Sequence, residues 1–270
     1  MKACDILEHF LARSSWVTRE KTSDKVIMGD PGEDFDRCLV TWMPSMKALR
    51  QVAARGCRLL ICHEPTFWHI RHDIAPEVDD GFGWDKAAFI RKHGITIIRI
   101  HDTWDRWPEV GIPWAWARFL GIGEKGPVAF GQDGYLHRYD IEPVPFGVFA
   151  RQVAGRCAAI GEPSVQVVGD PDQMVSRIGS GTGCGCDIVL YRQMGCDCSI
   201  LSDDGSCYWS GIQGAEDVGH PVIRVNHGTS EEPGMVTLTR YINENLPGLR
   251  AELLPHGCTF RLVDGTGANK

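Results

Sequence analysis

The sequence contains no apolar run near the roughly 18 to 20 residues that cross a membrane, so we expect no membrane partner. The chain is also short of positive charge, with 28 Lys and Arg residues against 35 Asp and Glu and a net charge of -7. Nucleic acids and anionic surfaces bind basic faces, so this balance disfavours nucleic acid as a partner. The first residues, MKACDILEHFLARSSW, lack a signal-peptide pattern. These absences predict a cytoplasmic protein.

Cysteine, by contrast, is abundant, with 11 in 270 residues. Cytoplasmic thiols stay reduced, so the cysteines do not indicate a disulfide framework. A cluster containing two Cys-x-Cys pairs leaves a zinc or iron-sulfur site as an alternative. Structural zinc sites usually place two to four residues between paired cysteines, so we expect small buried core residues instead. The cluster comprises Cys184, Cys186, Cys196, Cys198 and Cys207.

Helical and strand patterns alternate along the first half of the chain. Amphipathic spacing predicts helices, and short apolar runs rich in β-branched residues predict buried strands between them. This βαβαβ order favours a parallel sheet with helices on both faces. The predicted helices cover residues 6–11, 46–55 and 84–92, and the predicted strands 37–41, 58–62 and 95–100.

The Gly- and Pro-rich segment 123–145 is the best candidate for a domain boundary. The sequence therefore predicts an α/β protein of two lobes, with mixed, mostly parallel sheets flanked by helices. The second lobe, residues 126–219, is inserted in the first, which comprises residues 1–125 and 220–270. In the later part of the chain we expect helices over 146–159 and 235–245, strands over 165–168, 198–201 and 221–225, and a glycine-rich turn over 179–185.

The stretch LLICHEPTFWHIRH, residues 59–72, resembles half of a zinc-protease helix. That motif needs two histidines at positions i and i+4 of one helix, whereas His63 and His69 are six positions apart. Pro65 also makes a continuing helix unfavourable. His63 and Glu64 are therefore predicted to follow the end of a parallel strand, which is where ligands bind in open α/β sheets.

Two further predicted strands end in the same kind of side chain. Because neighbouring parallel strands bring their carboxyl ends to one edge, we expect the three groups to meet. Imidazoles and carboxylates together suit Zn, Mn, Fe or Ni, and the set is large enough for two ions. The groups are His63 and Glu64, then His101, Asp102 and Asp105, and then His227, Glu231 and Glu232.

The order of these motifs resembles the NIF-three-like family, the dinuclear-metal-centre hexameric proteins often labelled GTP cyclohydrolase I type 2 homologues. The family pattern runs from a Gly-Asp turn through His-His-Pro, His-Thr-x-x-Asp and a Gly-rich turn to Gly-His-x-x-x-Glu. The similarity covers residues 29–260. The matching positions are Gly29-Asp30, His63-Glu64-Pro65, His101 to Asp105, Gly179 to Gly185, and His227 to Glu231.

This resemblance implies two divalent transition-metal ions and a homohexamer. It assigns His101 to ligation or to shaping the site. Glu64 stands where the family has its second histidine; a carboxylate still binds a metal, but it is harder and anionic, which changes the preferred ion. The implied ligands are His63, Asp105, His227 and Glu231, with Asp105 and Glu231 as bridges, and Glu64 and His101 complete the candidate metal set.

These residues predict a metal-dependent hydrolase of a small cyclic or phosphorylated, nucleotide-like molecule. Glu64 or Glu232 would transfer protons if it is not a ligand. The alternative is a metal-binding protein without turnover, acting in metal homeostasis or as a hexameric scaffold.

Tryptophan is concentrated near the same motifs. Trp84, Trp114 and Trp116 are expected to pack in helix faces. Trp68, Trp104 and Trp107 flank the proposed ligands, so an aromatic wall over the metals is a second possibility for them.

Overall fold

The computed structural model describes residues 1–67, 73–76, 83–131 and 134–263. It contains two sheets, each covered by helices on both faces. The strands are β1 (Lys25–Met28), β2 (Arg37–Thr41), β3 (Leu59–Cys62), β4 (Thr96–Arg99), β5 (Ala129–Gly131), β6 (Leu136–Pro145), β7 (Gln166–Val168), β8 (Met174–Ser180), β9 (Cys198–Ser202), β10 (Val222–Val225) and β11 (Arg250–Leu253). The helices are α1 (Ala3–Leu11), α2 (Met46–Ala54), α3 (Trp84–Lys92), α4 (Asp102–Asp105), α5 (Ile112–Leu120), α6 (Phe146–Ala158), α7 (Ile188–Gln193), α8 (Gln213–Asp217) and α9 (His227–Asn245).

The first sheet has the strand order β1-β4-β3-β2-β11. Strands β4, β3, β2 and β11 are parallel, and β1 is antiparallel at the edge. Helices α2 and α3 connect consecutive parallel strands, which confirms the predicted βαβαβ order. All three central strands therefore end at the same edge of the sheet.

Side chains of the first sheet alternate between two cores. Val40, Ile61 and Ile98 face a core formed with α1 and α9. Leu60 and Ile97 face the opposite core, formed with α2 and α3. Because both faces are covered, these strands are almost continuously apolar, and this is what made them recognisable in the sequence.

The second sheet has the order β5-β6-β8-β9-β10-β7. Only β8, β9 and β10 are mutually parallel, and the outer pairs are antiparallel. Helices α5 and α6 cover one face, where Ile200 and Ile223 are buried. Helices α7 and α8 cover the other, where Leu201 and Val222 are buried. Each sheet is thus the centre of its own three-layer unit, and the α/β prediction is confirmed.

In the Gly- and Pro-rich segment 123–145, β5 and β6 pair antiparallel, and β6 is the longest strand in the described part of the chain, with ten residues. The predicted glycine-rich turn over 179–185 is also partly strand, since β8 continues to Ser180. A Cβ at Gly179 would lie 2.5 Å from Cγ of Tyr191, so this glycine permits close helix packing.

Helix α9 begins at His227, eight residues before the predicted start at residue 235. The Asn226 side chain caps it by accepting a hydrogen bond from the backbone N–H of Gly228 at 3.1 Å. The sequence did not indicate a helix over residues 227–234, because Pro233 and Gly234 both disfavour a helix interior. A Cβ at Gly234 would lie 2.3 Å from Cδ1 of Ile112, so the glycine allows α9 to pack closely on α5.

Strand β10 pairs with β9 and β7 and so belongs to the second sheet, whereas β11 returns to the first. Helix α9 therefore makes the return connection from the second sheet to the first. The lobe limits at residues 125 and 220 stay a prediction. Within the described ranges, no helix is both long enough and apolar enough to span a bilayer.

Candidate metal centre

The six predicted metal ligands come together at a cavity of about 410 Å³ between the two sheets. His63 and His101 follow β3 and β4 of the first sheet, whereas His227 follows β10 of the second. The expectation of a single sheet edge was therefore wrong in this respect: the carboxyl ends of two sheets face each other across the cavity.

His63 is fully buried and held from behind. Its Nδ1 lies 3.1 Å from the carbonyl oxygen of Ile100, which fixes the ring so that Nε2 points into the site. Nε2 lies 3.2 Å from Oδ1 of Asp105 and 3.4 Å from Oε2 of Glu231. This nitrogen makes no hydrogen bond of acceptable geometry in the described part of the chain. A buried, unpartnered nitrogen facing two carboxylates is an arrangement that suits a bound cation.

His101 stacks on His63, with ring centroids 4.4 Å apart and an interplanar angle of 10°. Its Nδ1 lies 2.8 Å from Oδ1 of Asp102 and 3.2 Å from Oδ2 of Asp105. Its Nε2 is 3.6 Å from Oε1 of Glu64. His101 can therefore bind a metal through Nε2 while Asp102 orients its ring.

His227 and Glu231 lie one turn apart at the start of α9, so both side chains project from one face of the helix. His227 Nε2 is 3.0 Å from Glu231 Oε2 and 3.5 Å from Glu64 Oε1. Asp204, on the loop after β9, orients this ring through a 2.7 Å contact between its Oδ2 and His227 Nδ1. The second sheet thus positions a ligand that the long helix carries.

Two groups of possible ligand atoms share one carboxylate. His63, Asp105 and Glu231 form one group, and Glu64, His227 and Glu231 form the other, each with its donor atoms within 4.8 Å of one another. His101 joins further groups with its neighbours. No group found in the described chain includes a cysteine.

Close packing of opposite charges shifts the pKa values strongly. Burial lowers the pKa of His227, but Glu231 and Glu64 outweigh it and raise the value to about 11. Burial likewise opposes a high pKa at His101, but Asp105 and other carboxylates raise it well above its ordinary value. Burial raises the pKa of Glu64, yet the neighbouring His101 lowers it to about 2. Without metal, the carboxylate cluster therefore retains protons on its imidazoles.

Gly183 makes room at the mouth of the cavity. Its φ is +57°, a conformation that favours glycine. A Cβ at this position would lie 2.7 Å from Oε1 of Glu231 and 2.9 Å from Nε2 of His227. The backbone of the glycine-rich turn therefore approaches two proposed ligands closely, which explains why glycine is required there.

Glu232 points elsewhere. Its buried carboxylate accepts a hydrogen bond from the backbone N–H of His256 at 3.0 Å, and Glu232 is not part of the cavity lining among the described residues. Successive residues of a helix are rotated by about 100°, so Glu231 and Glu232 face different surroundings. Glu232 is thus held away from the cavity in which a proton transfer would take place.

Trp104 and Trp107 do not lie over the metal cluster, so the second possibility, an aromatic wall, does not apply to these two residues. Both side chains pack in the core with Phe10 and Tyr241, and Trp104 Nε1 donates to the carbonyl oxygen of Gly234. Trp68 lies outside the described residues. Trp116 is buried in the second core, as expected for helix packing.

Trp42 lines the cavity instead, and it is not among the site residues predicted from the sequence. Its Nε1 donates a hydrogen bond to Oε2 of Glu231 at 2.8 Å. Trp42 directly follows β2, so the same strand-end rule that identified His63 would have identified it. Asp204 follows the end of β9, so the same rule would also have identified this residue.

The cysteine cluster divides between core and surface. Cys186, Cys196 and Cys198 are buried, as expected, and burial raises the pKa of Cys186 and of Cys196 to about 12. Cys184 and Cys207 are exposed, and Cys184 lies at the cavity.

A family model described as Duf34/NIF3 (NGG1p interacting factor 3) matches residues 4–255 of the chain. No curated protein matches the chain significantly.

Three solved structures show the same fold. Protein ybgI, described as of unknown function, is 19% identical with a TM-score of 0.78, and the match covers 96% of this chain and 100% of that one. Protein SA1388 from Staphylococcus aureus is 17% identical with a TM-score of 0.77, covering 97% and 99%. A Bacillus cereus protein related to NIF3 is 13% identical with a TM-score of 0.76, also covering 97% and 99%.

Proposed function

The chain belongs to the Duf34/NIF3 family, and we propose that it is a dinuclear metal-dependent hydrolase of a small molecule. The metals would be two divalent transition-metal ions from among Zn, Fe, Mn and Ni, because imidazole and carboxylate ligands suit these ions. The resemblance to the family further implies a homohexamer, which light scattering on the purified protein would test.

The observation that carries this proposal is the shared carboxylate of Glu231. Its Oε2 lies 3.4 Å from Nε2 of His63 and 3.0 Å from Nε2 of His227, so it connects the two groups of ligand atoms. One group would hold each ion, with Glu231 as the bridge. Asp105 sits between His63 and His101 and is the second candidate bridge.

A pair of divalent ions would polarise a phosphoryl or carbonyl oxygen of the substrate and lower the pKa of water toward neutrality. The chain's own residues would prepare this site by fixing three imidazole rings. The carbonyl oxygen of Ile100 holds Nδ1 of His63, Asp102 holds Nδ1 of His101, and Asp204 holds Nδ1 of His227. Each contact leaves Nε2 facing a carboxylate of the cluster and favours the tautomer that binds a metal.

Glu64 would act as a metal ligand. Its Oε1 lies 3.6 Å from Nε2 of His101 and 3.5 Å from Nε2 of His227, within the proposed coordination sphere. Its pKa, lowered to about 2 by the adjacent His101 despite burial, is far from neutral. A general base works best when its pKa is near the working pH, so proton transfer is a poor role for this carboxylate.

The first test is elemental analysis of protein purified without an affinity tag or chelator. We expect two metal atoms per chain. The double variant Asp105→Ala/Glu231→Ala should lose them and retain the fold, as judged by circular dichroism. Retained stoichiometric metal in that variant would refute the site.

Turnover needs a separate test. The metal-loaded protein would be screened against cyclic amides and phosphoesters, with the double variant as the control for contaminating hydrolases. Hydrolysis only by the wild type supports the proposal. Two bound metals without turnover of either class would favour the non-catalytic metal-binding alternative.

A further inference from the structure

Asp24 is a buried carboxylate beside the metal centre, yet it is not one of the proposed ligands. The residue is 3% exposed and directly precedes β1. No group of possible metal ligands found in the described chain includes it, and it is not part of the described cavity lining. A carboxylate loses favourable hydration when it is buried, so hydrogen bonds must compensate for that loss. The partners of Asp24 therefore indicate what this side chain does.

The pairing of two strands brings Asp24 to the turn that carries His101. Strand β1 is antiparallel to β4, and Lys25 pairs with Arg99, so the residue before β1 comes close to the residues that follow β4. Oδ1 of Asp24 accepts a hydrogen bond from the backbone N–H of His101 at 3.0 Å, and Oδ2 accepts one from the backbone N–H of Thr103 at 3.3 Å. The Thr103 hydroxyl also donates to Oδ1. One carboxylate thus fixes the backbone that carries the imidazole.

A second route leads from Asp24 to the imidazole ring through Thr22. The Thr22 hydroxyl lies 2.8 Å from Oδ2 of Asp24 and 2.9 Å from Oδ2 of Asp102. The backbone N–H of Ser23 donates to the same Asp102 oxygen at 2.9 Å. The other oxygen of Asp102 lies 2.8 Å from Nδ1 of His101, which is the contact that orients the ring. The segment before β1 thus holds Asp102 through the oxygen that is not used to orient the imidazole.

We propose that Asp24 is a positioning residue that holds His101 ready to bind a metal through Nε2. It acts on the backbone of His101 directly and on the ring through Thr22 and Asp102. This role rests on the dinuclear centre of the proposed function and extends that centre to the segment before β1, where none of the predicted ligands lies. A ligand that is fixed at both its backbone and its ring loses less conformational freedom when it binds, so the metal is bound more tightly.

Cobalt(II) is the probe for the test, because the visible absorption of the bound ion responds to the arrangement of its ligands. Cobalt affinity, by chelator competition, and the absorption spectrum are measured for wild type, Asp24→Asn, Thr22→Val and Thr22→Ser. The matched control is Asp197→Asn. Asp197 also accepts hydrogen bonds from two backbone N–H groups, those of Ser176 and Arg177, and from the Ser176 hydroxyl, but it lies beside the second sheet and outside the described cavity lining. Denaturant titration of the metal-free proteins measures stability separately.

We expect Asp24→Asn to weaken cobalt binding by about tenfold, as is typical of groups that orient a metal ligand, and to change the spectrum. Thr22→Val should show a smaller loss of affinity, and Thr22→Ser should match the wild type because serine keeps the hydroxyl. Asp197→Asn should lose stability but keep the cobalt affinity and spectrum of the wild type.

Wild-type affinity and spectrum in Asp24→Asn would overturn the positioning role. If Asp24→Asn does not fold, the threonine variants decide, and equal cobalt binding by Thr22→Val and the wild type would overturn the role. A wild type that binds no cobalt would overturn the metal centre itself, and the positioning role with it. Bound cobalt in the wild type therefore separates failure of this role from failure of the proposed metal centre.

Discussion

The two sheets contribute to the candidate site in different ways. The first sheet presents ligands directly after its strands, with His63 after β3 and His101 two residues after β4. The second sheet presents its ligands on the first two turns of α9, and a loop after β9 orients His227 through Asp204. Strand ends thus supply rigid positions on one side, whereas the other side depends on a helix start that is itself held by loop contacts.

It follows from this difference that the site is complete only when both sheets have formed. Asp203 accepts a hydrogen bond from the backbone N–H of His227 at 2.7 Å and another from the side chain of Asn226. Ser202 donates to the carbonyl oxygen of Gly183, which ties the two loops of the second sheet together. The α9 side of the site therefore depends on a hydrogen-bonded network, and the first-sheet side on buried strands.

The largest effect is expected from Glu231→Gln, because this residue belongs to both ligand groups. Losing the charge of this proposed bridge should weaken metal binding by more than about 100-fold, beyond the loss typical of an outer residue. Glu232→Gln is the matched control, since it is the adjacent buried carboxylate of the same helix. Chelator competition measures both. Equal losses in the two variants would contradict the assigned geometry.

The next largest loss of metal affinity is expected from replacing Asp102 and Asp204, the carboxylates that orient His101 and His227. The two variants compare the first-sheet side of the site with the α9 side. Asp102→Asn and Asp204→Asn keep the shape of the side chain and remove its charge. The Asp102 side chain is 27% exposed and that of Asp204 is 63% exposed, so solvent screens Asp204 more. We expect about a tenfold loss of metal affinity for Asp204→Asn and a loss nearer 100-fold for Asp102→Asn. Unchanged affinity in both variants would show that neither carboxylate orients a ligand.

The pH dependence tests the α9 side. The pKa of His227 is raised from 6.5 to about 11 in the metal-free protein, because Glu231 and Glu64 outweigh burial. Metal binding must displace this proton, so affinity should rise by about tenfold per pH unit for each proton released as the pH increases toward about 11. Calorimetry in buffers of different ionisation enthalpy would detect the release. Heats that do not depend on the buffer would contradict the prediction.

The same shift affects the stability of the metal-free protein with a definite sign. A pKa raised on folding stabilises the folded state fully below the unfolded value of 6.5. This contribution is lost progressively as the pH rises toward 11. The free energy of unfolding without metal should therefore fall over this range, as denaturant titrations would show.

The smallest effect on the metal is expected from Trp42→Phe, which removes the hydrogen bond to Glu231 and keeps an aromatic ring. A net loss of about 1 kcal/mol corresponds to roughly a fivefold weaker metal affinity. Trp104→Phe is the control, because its buried Nε1 also donates a hydrogen bond, but to Gly234 in the core. Both variants should lose stability, while only Trp42→Phe changes the metal affinity. A matching change in Trp104→Phe would make the effect a general consequence of core damage.

Much of the first sheet could be predicted because its strands are buried on both faces. Strand β2 has the predicted bounds, and helix α3 also begins and ends where predicted. The second sheet was harder to predict. Strand β6 is buried mainly in its first half and lies within a segment rich in glycine and proline, so its composition resembles that of a loop.

The sequence by itself determined which side chains could bind metal, because histidines and carboxylates follow apolar runs that must become buried strands. It also determined that residues 29–260 resemble one family. Only the tertiary structure decided that His227 lies on a helix of the second sheet's side, that Trp42 and Asp204 support the ligands, and that Trp104 belongs to the core. These are contacts between residues far apart in the chain, for example 189 positions between Trp42 and Glu231. Local periodicity carries no information about such distances, because they depend on how the two sheets pack against their shared helices.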